Sequence, residues 1–294
     1  MQTDSWKRAG LCTAILLAGC GSIWGQQLPL EPFHNSGQSI TGALEGWFKN
    51  PDGGFTILLG YYNRNLKQEL DIPVGPNNRI EPGGPDRGQP THFMPGRMWG
   101  IFSIKVPKDF GTTKLTWTIV ANGKTTTIPI SLNPLWEVSP FVDAINNTPP
   151  FLSFEPFDKG GPAVQGPLEL TTSLTTTLPN PVTLTAWIAD DVVLSPGRQL
   201  PKGPPVNVTW SKFRGPGDVN FAKNKPEVER IESKMPPKTV FAGKATTTAT
   251  FSAPGEYILY LAVNDVSGDG GAGFQCCWTT GHVKVSVKAP TTSE

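Results

Sequence analysis

The 294-residue chain has few histidines, few cysteines and little charge. It contains only three histidines and four cysteines, and no G-x-S-x-G, H-E-x-x-H, P-loop or C-x-x-C motif occurs. Charged residues make up 17% of the chain and the net charge is +1, which argues against broad electrostatic binding to nucleic acid or to an anionic membrane. No segment reaches the roughly 18 apolar residues that a membrane-spanning helix needs, so we expect no transmembrane helix in the mature chain.

Glycine and proline, by contrast, are abundant and spread along the chain. The 32 glycines and 30 prolines are about a fifth of the residues. Both residue types destabilise helix interiors, which excludes a large helical bundle. We therefore expect an all-β protein made of two antiparallel β-sandwich domains, at residues 26–139 and 140–289, with a short tail at 290–294.

The N-terminus has the pattern of an export signal. A basic start at residues 7–8 precedes a compact apolar run at residues 11–19. The run ends in LAGC at residues 17–20, which resembles the lipobox of bacterial lipoproteins, in which the cysteine becomes the lipidated N-terminus. The alternative is ordinary cleavage after Gly25. We expect an exported protein that is anchored at the cell envelope or outer membrane through a lipid on Cys20, or that is periplasmic or secreted without it.

Alternating apolar side chains predict strands in both halves of the chain. Asn122-Gly123 is typical of a type I′ hairpin turn between two of them. Near the C-terminus, Val283, Val285 and Val287 should face inward from the last strand. In the first half we expect strands at 42–48, 54–62, 100–106, 114–120 and 125–132, and in the second half at 181–188, 206–210, 246–251, 257–263 and 282–287.

The second half resembles a known type of module. The sequence NNTPP at residues 146–150 cannot be helical and indicates a boundary. Beyond it, VTWSK at residues 208–212 with GPG at 215–217, and ATFSAPGEY at 249–257, resemble bacterial PKD-like (polycystic kidney disease) and related Ig-like modules. The resemblance covers about residues 146–289 and implies an Ig-like sandwich. The first half resembles no family that we can name.

Two aromatic residues fit the core of such a module. Trp210 would fill the centre of the sandwich, and Tyr257 would form a tyrosine corner, in which its hydroxyl bonds to the backbone. Leu259 stands where an Ig domain has its second cysteine, so packing alone must hold this core. An insert at residues 214–237 departs from the compact module. Helical spacing predicts a short surface helix in the insert, through Val228, Ile231 and Met235.

A glycine-rich segment near the C-terminus contains candidate metal ligands. In the sequence DVSGDG, Asp265, Asp269 and a hydroxyl occupy alternate positions, as at the opening of a calcium loop. Cys276 stands where an EF-hand needs glutamate, so the segment is not an EF-hand. Asp190 and Asp191 would lie nearby if the two loops share an end of the sandwich. The site would take Ca²⁺; the alternative is a turn held by Asx hydrogen bonds. We expect no other cofactor.

Cys276 and Cys277 are adjacent in sequence. In an oxidising compartment they can form a strained eight-membered disulfide ring, because their Cα atoms are only about 3.8 Å apart across a trans peptide. The pair then acts as a loop staple, or as a redox or ligand-clamping group. Free thiols and intermolecular pairing are the other interpretations.

Residues 74–97 form a long stretch with few apolar side chains. Loops longer than about 15 residues are usually functional or disordered. Its arginine and asparagine side chains, with Tyr61, Asn63 and Arg64 at the end of the preceding strand, would suit a sugar, a carboxylate or a peptide. The alternative is an ordered cover over the sandwich, with arginines paired to carboxylates. The candidate ligand-binding residues are Tyr61, Asn63, Arg64, Arg79, Asp86, Arg87, His92 and Arg97.

Three functions compete. The first is an exported binding or scaffold module for an extracellular or envelope protein or a polysaccharide. The second is a secreted hydrolase with a site around His92 and the 74–97 loop, which requires His92 to contact a carboxylate or hydroxyl in a cleft. The third is a purely structural envelope protein, in which residues 74–97 pack down and leave no concavity. No catalytic residue is assigned.

Overall fold

The fold is described from a computed structural model and consists almost entirely of strands. Within the described residues, the helical elements are two 3-10 turns at Pro134–Trp136 and Phe157–Lys159. The all-β prediction is confirmed. No helix in this part of the chain is long and apolar enough to cross a membrane. Cys20 with the predicted signal, Asp269 and Met235 lie outside the described residues. Those residues are 34–194, 197, 199–200, 202–232, 236–267 and 276–290.

Eight strands form the first half. They are β1 (Ile40–Lys49), β2 (Phe55–Asn63), β3 (Leu70–Asp71), β4 (Asn78–Glu81), β5 (His92–Phe93), β6 (Gly96–Val106), β7 (Leu115–Ala121) and β8 (Lys124–Ile130). Strands β1, β2 and β6 make one antiparallel sheet, and β4, β7 and β8 make another, while β3 pairs with β5. All five strands predicted in this half are present, and the three short ones within residues 70–93 were not predicted.

Side chains from both sheets of the first half form one buried core. Phe102 of β6 meets Trp117 of β7 edge to face, with 5.2 Å between ring centroids. The β7–β8 hairpin turns at Asn122 and Gly123, whose φ angles of 49° and 73° are those of a type I′ turn. The predicted hairpin is therefore confirmed, and its twist matches the sheet that covers the core.

The described residues of the second half form nine strands. They are β9 (Phe151–Ser153), β10 (Leu170–Thr177), β11 (Val182–Asp190), β12 (Asn207–Arg214), β13 (Val219–Phe221), β14 (Val228–Arg230), β15 (Phe241–Phe251), β16 (Gly255–Asn264) and β17 (Trp278–Lys288). One sheet has the order β10-β17-β16-β12 and the other β13-β15-β11-β9, with β14 also on β15. The β10–β17 pair is parallel, whereas an antiparallel arrangement was expected; the other pairs are antiparallel.

The Ig-like expectations hold in the core of the second half. Trp210 is 1% exposed at the centre, and the three valines predicted to face inward from β17 are buried. The hydroxyl of Tyr257 donates to the carbonyl oxygen of Ala253 at 2.8 Å, which is the predicted tyrosine corner. The helix predicted in the insert is wrong. Val228 instead belongs to β14, because pairing with Ala245 satisfies its backbone and buries its side chain against the sheet.

The two halves meet in a mixed apolar and charged junction. The side chains of Phe213 and Tyr260, from the second half, belong to the buried core of the first. The ammonium group of Lys212 lies 2.8 Å from Asp71 Oδ1. The guanidinium group of Arg214 donates to both carboxylate oxygens of Asp86, at 3.0 and 2.9 Å. Residues from His34 onward form one compact unit, and a domain boundary at residues 139–140 stays a prediction.

His282 packs inside this junction. Its ring lies 4.7 Å from that of Phe213 and 5.9 Å from that of Tyr260, and the residue is 8% exposed. Burial lowers the pKa of His282 to about 4, with smaller contributions from the charges of Arg214 and Lys284. The imidazole is therefore neutral in the folded protein at neutral pH.

We expect Tyr257→Phe to lower the free energy of unfolding by about 1 kcal/mol, because it removes the hydrogen bonds of the hydroxyl with the backbone of Ala253 and Gly217 and leaves the Ala253 carbonyl without its donor. Urea denaturation followed by fluorescence measures the difference. The control is Tyr62→Phe, since Tyr62 is 39% exposed, and it should leave the stability unchanged. Equal effects of the two substitutions would show that the corner does not stabilise the sandwich.

Acid should destabilise the protein through His282. The folded pKa lies below the unfolded value of about 6.5, so stability is lost as the pH falls from about 6.5 to about 4. Between pH 7.5 and 4.5 the wild type should lose about 2–3 kcal/mol more than His282→Phe, which cannot take up this proton. Other groups titrate in both proteins and cancel in the difference. Parallel pH profiles of the two proteins would contradict this result.

Candidate functional site

An open groove crosses the junction of the two halves. Its central pocket has a volume of about 340 Å³ and lies between β6 of the first half and strands β12 and β16 of the second. Pockets of this size hold small organic ligands. Its lining residues are Met94, Arg97, Met98, Trp99, Thr209, Ser211, Asn224, Lys225, Tyr260, Ala262, Asn264 and Trp278.

Two larger pockets adjoin the central pocket through shared lining residues. One, of about 600 Å³, reaches β1 and β8 and shares Arg97 and Trp99 with the central pocket. The other, of about 720 Å³, shares Thr209, Lys225 and Asn264 with it. Because they share lining residues, the three pockets lie next to one another.

Trp99 stands at the point where two of these pockets meet. Its side chain is 37% exposed, and the guanidinium carbon of Arg97 lies 4.0 Å from the centre of its ring. The guanidinium group donates to the Tyr61 carbonyl oxygen at 3.1 Å and forms an ion pair with Glu45, which is 3% exposed. The buried carboxylate therefore fixes the arginine, and the arginine holds the tryptophan ring at the groove surface.

Two glycines permit this arrangement. A Cβ atom at Gly60 would clash with Glu45 and with the Met98 carbonyl oxygen, so only glycine leaves room for the ion pair. Gly100 has a φ of +48° and packs directly against the ring of Trp278 on the groove wall. The backbone of β2 and β6 is thus shaped to fit the groove's charged and aromatic side chains.

Of the predicted ligand-binding residues, Arg97 lies in the groove and two others are buried in the core. Tyr61 is 0% exposed, and its hydroxyl accepts a hydrogen bond from the Met94 backbone N–H at 2.8 Å. Asn63 is also 0% exposed and donates to the backbone oxygens of Gln68 and Phe93. The expectation that these two face a ligand is corrected, because β2 is buried on both faces.

Most other side chains of the 74–97 segment pair within the protein. The guanidinium group of Arg79 lies 2.9 Å from Glu81, and that of Arg87 donates to the Pro82 carbonyl oxygen at 2.7 Å. Strands β4 and β5 lie in this segment, so the expected long loop is largely an ordered cover. Hydrogen bonds from Arg214 lower the pKa of Asp86. Outside the segment, the Arg64 guanidinium lies 5.4 Å from the Tyr62 ring.

Both ring nitrogens of His92 face carboxylates. Nδ1 lies 3.1 Å from Asp71 Oδ1 and Nε2 lies 3.3 Å from Glu69 Oε2. The residue is 8% exposed and is not one of the described residues that line the groove. The carboxylate contact that a hydrolase requires is present, but this histidine lies in the junction, where Asp71 also pairs with Lys212, and outside the three pockets described above.

The structure gathers three of the four candidate metal ligands at one end of the second sandwich. Asp190 and Asp265 are each 1% exposed. Burial, together with the smaller effects of the Asp265 and Asp191 charges, raises the pKa of Asp190 to about 8. Burial also raises the pKa of Asp265. Asp190 and Asp265 thus lie near each other although 75 residues apart, as the shared-end argument predicts; Asp269 lies outside the described residues.

Cys276 and Cys277 are joined by a disulfide bond, with Cα atoms 3.7 Å apart. Both residues are fully buried. The Cys277 sulfur lies 3.6 Å from the Asn147 carbonyl oxygen, and the Cys277 carbonyl oxygen accepts from the Asp265 backbone N–H at 3.4 Å. This position, inside the acidic end of the sandwich, suits a staple.

Sequence reasoning missed the exposed tryptophan of the groove. Trp99 directly precedes a predicted strand and follows Arg97 by two residues, so both side chains lie on one face of β6. An arginine and an aromatic residue with this spacing were the available signal. The other wall is formed by β12 and β16. It lies opposite β6 only because the two halves pack together, and no local sequence pattern predicts this packing.

Comparisons with known proteins give only weak likenesses. No family model matches the chain, and no curated protein matches it. Among solved structures it is similar to the cadherin-like domains 1 to 4 of zebrafish RET, at 12% identity over 76% of this chain and 46% of that chain (TM-score 0.26). It is similar to CfaE, the adhesive subunit of the CFA/I fimbria of enterotoxigenic Escherichia coli, at 9% identity over 85% of this chain and 87% of that chain (TM-score 0.24).

A protein of unknown function from Porphyromonas gingivalis W83 is similar at 7% identity over 84% of this chain and 99% of that chain (TM-score 0.23). The chain spans less than half of the RET structure. At these TM-scores the likenesses carry no argument. The fold assignment rests on the strands and sheets themselves.

The Glu45–Arg97 pair should be a strong determinant of stability. We expect Arg97→Met to lower the free energy of unfolding by about 3 kcal/mol, because it leaves the buried Glu45 carboxylate without its cationic partner. Adding Glu45→Gln should restore at least about 1 kcal/mol of this loss, since the buried charge is then gone. Urea denaturation of the wild type, both single variants and the double variant measures the coupling. Strictly additive effects would contradict the pairing.

Proposed function

We propose that the chain is an exported binding module whose groove holds a segment of polysaccharide. The observation that carries this proposal is the exposed ring of Trp99, held by Arg97 where two pockets of a continuous groove meet. Sugar rings present apolar C–H faces that pack on aromatic rings, and hydroxyl groups that need both donors and acceptors.

The polar lining of the groove suits such a ligand. Asn224 and Asn264 bring amide groups, Thr209 and Ser211 bring hydroxyl groups, and Lys225 brings one positive charge. These side chains line the wall of the central pocket opposite Trp99, on β12, on β16 and beside them. Amides and hydroxyls can donate and accept at once, which matches the hydroxyl groups of a sugar.

Export and anchoring belong to the same proposal. The basic start, the short apolar run and the LAGC sequence at residues 17–20 support a lipid-anchored protein. The described disulfide is consistent with an oxidising compartment. We also propose that residues 140–289 form an Ig-like, PKD-like module. Because the groove uses both halves, this module takes part in recognition rather than acting as a spacer alone.

The groove favours binding over the two alternatives. A purely structural protein predicts that residues 74–97 pack down and leave no concavity. The segment does form an ordered cover, but pockets remain beside Arg97 at its end. A hydrolase centred on His92 requires this histidine in a cleft, whereas its nitrogens face Asp71 and Glu69 in the junction. The polysaccharide proposal needs no contact beyond those already described.

The test compares two tryptophans. Trp99→Ala should weaken binding about tenfold or more, which corresponds to about 1.4 kcal/mol, because it removes the stacking surface. Trp187→Ala is the matched control, since Trp187 is half-buried, lies near Lys244 and is not one of the described groove residues. Affinity electrophoresis in gels containing xylan, β-glucan, mannan or chitosan identifies the polysaccharide, and calorimetry with its hexasaccharide gives the affinities.

Retention of the wild type by one polysaccharide, lost in Trp99→Ala and kept in Trp187→Ala, is the expected result. If none of the polysaccharides retains the wild type, or if both variants lose binding equally, the proposal is overturned. Circular dichroism of each variant verifies that the sheets are intact.

A further inference from the structure

A second exposed tryptophan lines the pocket that reaches β1 and β8. Trp136 is 47% exposed and lines this pocket of about 600 Å³ together with Trp99, which is 37% exposed. Single exposed apolar side chains are common on protein surfaces and need no explanation. Two large aromatic side chains that line one concavity, each with more than a third of its surface in contact with solvent, are instead typical of a binding site.

The turn that carries Trp136 is fixed to β1. The side-chain oxygen of Asn133 accepts a hydrogen bond from a backbone N–H of this 3-10 turn at 3.0 Å, and the Asn133 carbonyl oxygen accepts one from Trp47 Nε1 at 2.8 Å. After the turn, the Val138 backbone N–H donates to the Trp47 carbonyl oxygen at 2.9 Å. Trp47 is 5% exposed, so a core residue of β1 anchors the turn on both sides.

Glycine at position 46 permits this close contact. Its φ is +142°, and a Cβ atom there would clash with the Trp136 carbonyl oxygen and with the Val138 side chain. The register of β1 against β2 shifts between Leu44 and Gly46, so the irregular part of β1 is the part that contacts the turn. The position of Trp136 is therefore set by the backbone of β1.

The rest of the pocket combines apolar surface with hydrogen-bonding groups. Leu44, Ile128 and Pro129 supply the apolar surface, while Ser131 and Asn133 supply a hydroxyl and an amide group. Among the described residues, neither the Ser131 hydroxyl nor the Asn133 amide nitrogen has a hydrogen-bond partner. Both groups are thus available to the hydroxyl groups of a sugar.

The charges of this pocket cancel. Glu45 and Arg97 are the charged residues among those described that line it, and they form an ion pair with each other. A charged sugar would lose hydration here without gaining an unpaired counter-charge. The pocket therefore suits an uncharged ligand.

We propose that Trp99 and Trp136 bind different sugar residues of the same neutral polysaccharide chain. This inference rests on the proposed function and specifies its ligand as sugars whose equatorial hydroxyl groups leave flat C–H faces for aromatic rings, as in β-linked polymers of glucose or xylose. Tryptophan gives a large contact area at little conformational cost, and the turn that carries Trp136 is already fixed before the ligand binds.

The test adds three variants to the electrophoresis and calorimetry. Trp136→Ala should weaken binding of the neutral hexasaccharide about fivefold or more, whereas Trp136→Phe should keep most of the affinity because it keeps an aromatic face. Leu135→Ala is the matched control, since Leu135 is 90% exposed on the same turn and is not one of the described pocket residues; it should leave the affinity unchanged. The wild type should prefer β-glucan or xylan to mannan and to charged chitosan at least tenfold.

The outcomes separate this inference from the proposed function. If no polysaccharide binds the wild type, both are overturned. If Trp99→Ala weakens binding and Trp136→Ala does not, the groove binds polysaccharide without the second ring, and this inference alone is overturned. The same holds if Leu135→Ala weakens binding as much as Trp136→Ala, or if chitosan or mannan is the preferred ligand. Circular dichroism of each variant verifies that the sheets are intact.

Discussion

The junction between the two halves is the constraint on which the rest of the structure depends. Phe213 and Tyr260 complete the core of the first half, and Lys212 and Arg214, from the same strand, pair with carboxylates on the opposite side. The register shift of β12 between Lys212 and Arg214 breaks the regular alternation, so that apolar and basic side chains of consecutive residues meet one partner surface. Removing this packing would separate the walls of the groove, since β6 supplies one wall and β12 with β16 the other. The groove is a product of this docking rather than of either sandwich alone.

Much of the fold could be predicted from local patterns. The alternation of Val283, Val285 and Val287 places β17 over the core, and Asn122-Gly123 specifies a hairpin, because each signal acts within a few residues. The spacing of Val228, Ile231 and Met235 predicted a helix, and this prediction was wrong at β14. There the backbone is extended because it forms hydrogen bonds with β15. Tertiary pairing overrides weak local periodicity in this way, and it also makes β10 parallel to β17.

The candidate site was harder to predict because its parts come from distant segments. Arg97 could be selected as a polar residue in an unusual stretch, yet nothing in its neighbourhood reveals that Glu45, 52 residues earlier, lies beneath it. Tyr61 and Asn63 were selected because they end the strand before that stretch, yet both are buried. In the sequence, polar side chains that bond to the backbone look the same as polar side chains that face a ligand. The proximity of Asp190 to Asp265 was easier to predict, because loops at the same end of a sandwich lie close together.

The last hairpin of the second sandwich, β16–β17, reaches both the groove and the acidic end of that sandwich. Asn264 of β16 pairs with Trp278 of β17, and both line the groove. Asp265 follows Asn264, and Cys277 precedes Trp278, at the acidic end. The groove and the acidic end, which contains Asp190 and Asp265, therefore share one two-stranded stem, the β16–β17 hairpin. By thermodynamic reciprocity, a change at the acidic end that orders or loosens this stem and a ligand in the proposed groove that does the same would affect each other by equal free energies.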